Sequence, residues 1–377
     1  MTSADRRGSD PLSILDDYDF ELPESSIAQA PSAERDSARL MVLDRETGKV
    51  LKSDPDHRVR DLTRWLHEGD LLVMNSTRVR SARLVGRKTS GGAAEALLLG
   101  PDPKSESRHR ALIKCTGRIR EGLGFRFGPN SELDATITAI HERGEVTLHF
   151  DSQVDPYAYG EAPLPPYIRR SSPRSSEDLE RYQTIYAKEP GAIAAPTAGL
   201  HFSAGLFHGL EEAGVRRAEV VLHVGAGTFR PLEAVSMLTG RLHPEEFILS
   251  AETVAAVNQT RASGGRVIAV GTTTARVLES QADADGNLHE GSGTTDLFIR
   301  PGGPPFRAID GLLTNFHLPK SSLLLLVAEF VGRRALLDAY ARAIREGFRF
   351  YSYGDAMLVL GCERSGQSEN QKKSDDQ

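Results

Sequence analysis

The stretch "RVIAVGTTTARVLES", Arg266–Ser280, decides the fold class. Val267, Ile268, Ala269 and Val270 form a short apolar run bounded by glycines, which is the pattern of a buried strand. Gly271 and the threonines Thr272, Thr273 and Thr274 follow, and then residues at helical spacing. A strand that passes through a glycine into a helix is the repeating unit of an α/β sheet. The same signals lie on both sides. "SAGLFHGLEEAG" has helical spacing and ends at Gly214, "RAEVVLHVG" reads as a strand, and "SAETVAAVNQTRASGG" is a helix opened by Ser250 and closed by glycines.

Upstream the pattern changes. Short segments punctuated by glycine run from "ARLVGRK" to "LDATITAIHERGEVTLHF", where Val146, Leu148 and Phe150 alternate with polar residues and "ERG" supplies a hairpin turn. The spacing predicts an all-β unit. The expected architecture is therefore a main α/β domain, residues 16–77 and 154–361, carrying an inserted smaller β-barrel domain over 78–153. Residues 1–15 and 362–377 are polar and are expected to be disordered extensions.

Bulk properties bound the function. The 377 residues include 46 Lys+Arg and 52 Asp+Glu, a net charge of -6, so contact with nucleic acid requires a local basic patch. The two cysteines, Cys115 and Cys362, lack metal-ligand spacing, which argues against a disulfide framework or a structural zinc site and fits a cytoplasmic protein. No apolar h-region follows the N-terminus, and the longest apolar run, "LLLLVAEFVG", is too short to span a bilayer, so no membrane association is expected.

Chemistry-bearing residues cluster on loops after the α/β strands. Gly271, Thr272 and Thr273 open a helix, where backbone N–H groups and hydroxyls suit a carboxylate, a phosphate or a ribose, although simple capping uses the same residues. "LHVGAGTF" places His223 before Gly225, Gly227 and Thr228. It lacks the full dinucleotide fingerprint. "TNFHLPKSS" adds Asn315 and His317, and "EPGAIAAPTAGLHFS", Glu189–Ser203, ends on Thr197, Gly199 and His201, its small residues allowing close backbone approach to a ligand. "GFRFYSYGDAML" contributes Tyr351, Ser352, Tyr353 and Asp355. Each histidine alone is more readily structural; three on separate loops of one domain shift the balance toward His201, His223, His317 and Asp355 as groups for hydrogen bonding or proton transfer. Their spacing does not suit a metal. Arg78, Arg80, Arg83, Arg87 and Lys88 have no acid between Asp70 and Glu95, so they form a candidate phosphate track, with Arg169 after "PLPPYI".

The blocks "DYDFELPESSIAQAP", "GDLLVMNSTRV", "ARLVGRK", "PLPPYI", "YQTIYAKEPGAIAAPTAGLHF", "LHVGAGTFRP", "RVIAVGTTTARVLES", "DGLLTNFHLPKSSLLLLVAEFVG" and "RFYSYGDAMLV" run in order from about Asp17 to Val359. Together they closely resemble the S-adenosylmethionine:tRNA ribosyltransferase-isomerase family of queuosine biosynthesis. Three blocks depart from the family pattern, "GGAAEALLL", "HPEEF" and the threonine triplet, and none removes a polar group from the loops above. The resemblance implies an α/β domain with a β-barrel, acting as a monomer. It also implies a reaction: the ribosyl part of S-adenosylmethionine is transferred to 7-aminomethyl-7-deazaguanine at the wobble position of GUN-anticodon tRNAs. Isomerisation gives epoxyqueuosine and releases adenine and methionine. S-adenosylmethionine is then a consumed substrate, and no separate cofactor is implied. The sulfonium calls for aromatic faces rather than cations, which Tyr351 and Tyr353 can supply. A methyltransferase would use the same donor, and a non-catalytic RNA-binding protein would explain the arginines. The first should carry a glycine-rich loop with a following acid, and the second leaves the His/Thr/Gly loops unexplained.

Overall fold

The computed structural model describes residues 11–102, 105–151, 154–170, 176–225, 227 and 232–361. Three strands come first, β1 (Leu40–Asp44), β2 (Val50–Lys52) and β3 (Leu71–Asn75), then the short β4 (Thr77–Val79). Six follow as β5 (Arg83–Lys88), β6 (Ala93–Asp102), β7 (Ser105–Cys115), β8 (Gly124–Phe127), β9 (Leu133–Ile140) and β10 (Glu145–Phe150). After helix α1 (Ser176–Arg181) and β11 (Glu189–Ala192), α2 (Ala204–Glu212) leads to β12 (Arg216–Leu222). The remainder is α3 (Ala234–Thr239), β13 (Arg241–Leu249), α4 (Ala251–Ala262), β14 (Val267–Val270), α5 (Thr272–Ser280), β15 (Gly291–Leu297), β16 (Gly311–Asn315), α6 (Ser322–Val331), α7 (Arg333–Arg345) and β17 (Ala356–Leu360).

Two compact units result. The first takes the described residues through Ser76, Pro196–Leu222 and those from Leu232 onward. It is built on a nine-stranded sheet in the order β15-β13-β12-β3-β14-β16-β17-β1-β2. At its centre β3 runs parallel to β12 and β14, and β14 parallel to β16. Every residue of β3, β14, β16 and β17 is buried. That is why "LLVMN", "VIAV" and "AMLVL" read as continuous apolar runs: central strands covered on both faces have no side to leave polar. β17 returns antiparallel to β16 and parallel to β1, and it joins the first strand of the chain to the last.

The second unit comprises Thr77–Ala195 with the described residues from His223 to Gly227. Its centre is a closed barrel in the order β10-β7-β6-β5-β8-β9. Alternation aims Leu84, Phe125, Phe127, Ile137, Leu148 and Phe150 inward, with Ala94, Ala96, Ala111 and Ala135 beside them. A six-stranded barrel is narrow, so bulky phenylalanines require small neighbours, which accounts for the alanines of "GGAAEALLL". The expected hairpin at "ERG" is present: Glu142–Gly144 turns between β9 and β10.

Two expectations about extent are corrected. The unit holding the barrel is larger than 78–153, because β11 pairs with β4 in parallel and Glu161 exchanges backbone hydrogen bonds with Arg83, carrying the intervening chain along. The N-terminal extension does not reach residue 15: Ser13–Tyr18 form a 3-10 turn with Leu15 and Tyr18 buried. Residues 1–10 and 362–377 lie outside the described residues. Among the described residues no helix is long and apolar enough to cross a membrane, and no group of His, Cys, Asp and Glu could hold a metal ion.

One ion pair stitches the central strands together at their amino ends. Asp70 sits one residue before β3 and Arg266 one before β14. The carboxylate accepts from Arg266 N, Nε and Nη2 and from His67 N, the closest contact being 2.6 Å, with both side chains almost wholly buried. Removing one member of a buried pair leaves an uncompensated charge, whereas replacing both by apolar residues does not. Asp70→Ala is therefore expected to lower stability by about 3–5 kcal/mol in urea unfolding, and the double replacement Asp70→Leu with Arg266→Met to recover most of the loss.

Candidate active site at the carboxyl edge of the sheet

In open α/β sheets ligands bind outside the carboxyl ends of the strands, where the connections diverge. Here β3 connects on one side to β12, while β14 connects on the other to β16. Asn75, the last residue of β3, is fully buried at that point. Its amide receives from Leu222 N and donates to Leu222 O, each at 3.0 Å, and donates to Thr273 Oγ1 at 3.3 Å. One side chain thus ties the ends of β3 and β12 to the start of α5. Asn75 was not among the sequence-derived candidates. Its signal was a lone amide closing an apolar strand.

Gly271 caps α5 with φ of +87°, a conformation that glycine adopts without steric cost. None of the three threonines after it acts as a side-chain cap. Thr274 Oγ1 donates back to Val270 O, Thr272 is buried, and Thr273 receives from Asn75. The turn Thr197–His201 packs by Ala198 against Gly271, its Cβ 3.7 Å from where a side chain there would begin. Gly199 and His201 are buried and Thr197 half-buried.

His201 and Asn315 form the heart of this edge. Both are buried, 4% and 2% exposed, and His201 Nε2 and Asn315 Oδ1 have no hydrogen-bond partner among the described residues. Burial pushes the His201 imidazole down to about 4; the Asp355 carboxylate and a contact of hydrogen-bonding character with the Asn315 side chain pull it upward, and the Arg349 and Arg35 guanidiniums push it further down. The ring is neutral at pH 7. Asn315, the last residue of β16, spends its Nδ2 on two carbonyls, Tyr351 O at 2.9 Å and Ser352 O at 3.3 Å. That fixes the amide with its oxygen outward from the turn. Tyr351 has φ of 76°, the left-handed region, where a bulky residue costs roughly 1–3 kcal/mol and persists only because its surroundings hold it. Burial raises the Tyr351 phenol to about 12.

The other expected acid–base groups have different duties. Asp355 is 1% exposed and accepts from Arg39 N, Arg349 N and Arg349 Nη2 at 3.0, 2.8 and 3.2 Å. It clamps the turn ahead of β17, and its oxygens are already engaged. His317 is buried with Nε2 2.9 Å from Thr314 Oγ1, and its backbone N–H donates to the Tyr340 hydroxyl. Burial alone lowers its imidazole to about 3. No charged group contributes to that shift, so it reads as a structural histidine in the aromatic cluster of Phe316, Tyr340, Phe348 and Phe350. Tyr353 is likewise buried and offers no open aromatic wall. Ser352 is buried, its carbonyl held by Asn315.

His223 does not share a unit with the other two histidines, contrary to the expectation of one domain; it groups with the barrel chain. Its Nδ1 lies 2.7 Å from Thr77 Oγ1. The ring covers Gly191, where any Cβ would fall 2.5 Å from ring atoms, so this glycine is required for the stacking. Gly225 and Gly227 continue the loop, half-buried, while Thr228 lies outside the described residues.

The arginine track needs a further correction. Arg83 is not without a counter-charge: it bonds Glu95 at 2.6 Å and Glu161 at 2.7 Å and is only 19% exposed at its side chain. Glu95 bounds the acid-free stretch and folds back across the β5–β6 pair, and Glu161 lies 78 residues away, so spacing along the chain did not reveal the pairing. Arg80 lies over the Tyr157 ring at 4.9 Å and reaches Pro190 O, Arg78 reaches Ala187 O, and Lys88 reaches Thr116 O. Arg87 and Arg169 are exposed.

The model of the family described as "Queuosine biosynthesis protein" matches residues 15–359. A relative from Methylorubrum extorquens, named S-adenosylmethionine:tRNA ribosyltransferase-isomerase, is 47% identical over 368 residues, covering 92% of this chain and 96% of that protein. One of the same name from Moorella thermoacetica is 45% identical over 352 residues, covering 92% and 99%. The crystal structure of an S-adenosylmethionine tRNA ribosyltransferase from Thermotoga maritima, 34% identical, matches with a TM-score of 0.52 over 91% of this chain and 100% of that one.

The two depressed histidines make stability depend on pH. In the unfolded chain an imidazole titrates near 6.5, and in the folded one His201 and His317 titrate near 4 and 3. The unfolded state therefore binds more protons as pH falls, so their contribution is complete above about pH 6.5 and is lost towards pH 4 and 3. Urea unfolding is expected to show stability dropping between pH 6.5 and 5, and His201→Phe to flatten that slope. A slope of opposite sign would contradict neutral buried imidazoles.

Proposed function

The chain belongs to the queuosine biosynthesis protein family, and from that membership we propose that it is an S-adenosylmethionine:tRNA ribosyltransferase-isomerase. It transfers the ribosyl moiety of S-adenosylmethionine to 7-aminomethyl-7-deazaguanine in tRNA, isomerising it to the epoxycyclopentane and releasing adenine and methionine. The tRNAs are those with a GUN anticodon, and the enzyme works as a cytoplasmic monomer with S-adenosylmethionine as consumed donor and no further cofactor. The observation that carries this reading to particular atoms is the pair of buried, unpartnered groups, His201 Nε2 and Asn315 Oδ1, at the carboxyl edge of the sheet.

The surroundings suit a nucleoside carrying a sulfonium. Gly271 and the first turn of α5 bring backbone N–H groups to the edge. A neutral His201 does not repel the sulfonium and is placed to hold the ribose or accept a proton from it. Asp355 and His317 support this arrangement from behind. A methyltransferase would leave S-adenosylhomocysteine and a binding protein would leave the donor intact. Incubation with S-adenosylmethionine and tRNA bearing the aminomethyl base is expected to yield adenine and methionine in equal amounts; S-adenosylhomocysteine as product would overturn the reading.

His201→Ala is expected to reduce single-turnover adenine release about a hundredfold or more, the usual size of a lost acid–base or positioning group, with a melting temperature near wild type because Nε2 makes no hydrogen bond of standard geometry. Normal release with a lowered melting temperature would make His201 a packing residue. For RNA contact, the exposed Arg87 and the half-buried Arg80 remain the barrel unit's candidates. Arg80→Ala with Arg87→Ala should weaken tRNA binding and flatten its salt dependence, whereas Arg83→Ala should chiefly destabilise the fold. Filter binding at two salt concentrations, paired with thermal unfolding, separates the two effects.

A further inference from the structure

We infer that Asn315 and His201 together read one ribose hydroxyl of the adenosyl donor, the hydroxyl donating to Asn315 Oδ1 and accepting from His201 Nε2–H. The choice of adenosyl ligand rests on the proposed function; the choice of a hydroxyl rests on the geometry. Asn315 Nδ2 is committed to Tyr351 O and Ser352 O, so its free atom is an oxygen that can only accept. His201 Nε2 is the second buried atom without a partner, on a neighbouring side chain. Leaving buried polar atoms unpaired is costly, so such a pair marks a ligand position.

The chemistry of the two atoms narrows the ligand group. A carboxylate or phosphate would face the lone pairs of Asn315 Oδ1 and is disfavoured. A methyl or an aromatic carbon would leave both atoms unpaired. A hydroxyl has one donor and two acceptor sites, and a single oxygen satisfies both partners. An exocyclic amine would have to donate to both, which needs His201 to carry its proton on Nδ1. The Asp355 carboxylate, which acts on His201 electrostatically, accepts from Arg39 N and from Arg349 N and Nη2 and takes no proton from His201 Nδ1 that would fix that tautomer.

The same amide also controls the turn. Gly354 N donates to Tyr351 O at 2.9 Å alongside Asn315 Nδ2, and Tyr351 N donates to Phe316 O, so the left-handed residue is held at both its N–H and its carbonyl. Rotating the Asn315 amide to suit another ligand would release Tyr351. The preference for a donor at Oδ1 is thereby built into the backbone.

Calorimetric binding of S-adenosylhomocysteine and its 2′-deoxy, 3′-deoxy and 6-deaminated analogues tests this without turnover. Wild type should lose on the order of tenfold or more with one deoxy analogue, the size expected when a buried polar pair is left empty. Asn315→Leu should bind that analogue and its parent equally; if this variant fails to fold by circular dichroism, His201→Phe gives the same readout. Wild type indifferent to both deoxy analogues, or a variant retaining full discrimination, overturns the assignment. So does a variant that loses discrimination against the 6-deaminated analogue instead. Binding of neither S-adenosylhomocysteine nor S-adenosylmethionine by wild type would be the failure of the functional reading itself.

Discussion

The orientation of a single amide, that of Asn315, governs the site. Its nitrogen bridges two carbonyls of the Tyr351–Ser352 turn, and from that commitment follow the left-handed Tyr351 and the buried acceptor oxygen beside His201. Asn75 plays the matching role on the other side of the switch point, joining β3, β12 and α5. Two amides at the ends of β3 and β16, the parallel strands on either side of β14, set a rigid frame on strand ends rather than on loops. Rigid frames hold catalytic groups within the tolerance that the chemistry needs.

Burial does the electrostatic work here. His201 and His317 are both neutral because they are dry, yet only His201 keeps a ring nitrogen without a partner. The carboxylate that the sequence offered as an acid or base, Asp355, is consumed by backbone N–H groups and a guanidinium. The nearby Arg349 and Arg35 guanidiniums press the His201 imidazole further toward its neutral form, against the pull of Asp355. The same principle of local pairing governs the barrel surface, where Glu95 and Glu161 neutralise Arg83.

Much of this was legible in the chain because strands buried on both faces print unbroken apolar runs, as "VIAV" and "AMLVL" do, and because Gly271, Ser250 and Gly214 punctuate the helices. The barrel showed through the alternation at Val146, Leu148 and Phe150. What the sequence hid was partnership across distance. Nothing near Arg83 in the chain announces Glu161, nothing near Gly191 announces the His223 ring above it, and Asn75 looks like an ordinary strand end. Residue type and spacing identify a histidine on a glycine-rich loop; only the fold distinguishes His317, whose Nε2 bonds Thr314, from His201, whose Nε2 makes no bond of standard geometry.

A crystal structure of this chain with S-adenosylhomocysteine bound tests the account most directly. The ribose is expected at the carboxyl edge of β3, β14 and β16, with one hydroxyl oxygen about 3 Å from both Asn315 Oδ1 and His201 Nε2 and the Tyr351 turn unmoved. A nucleoside seated elsewhere, with those two atoms still unpartnered, would contradict it.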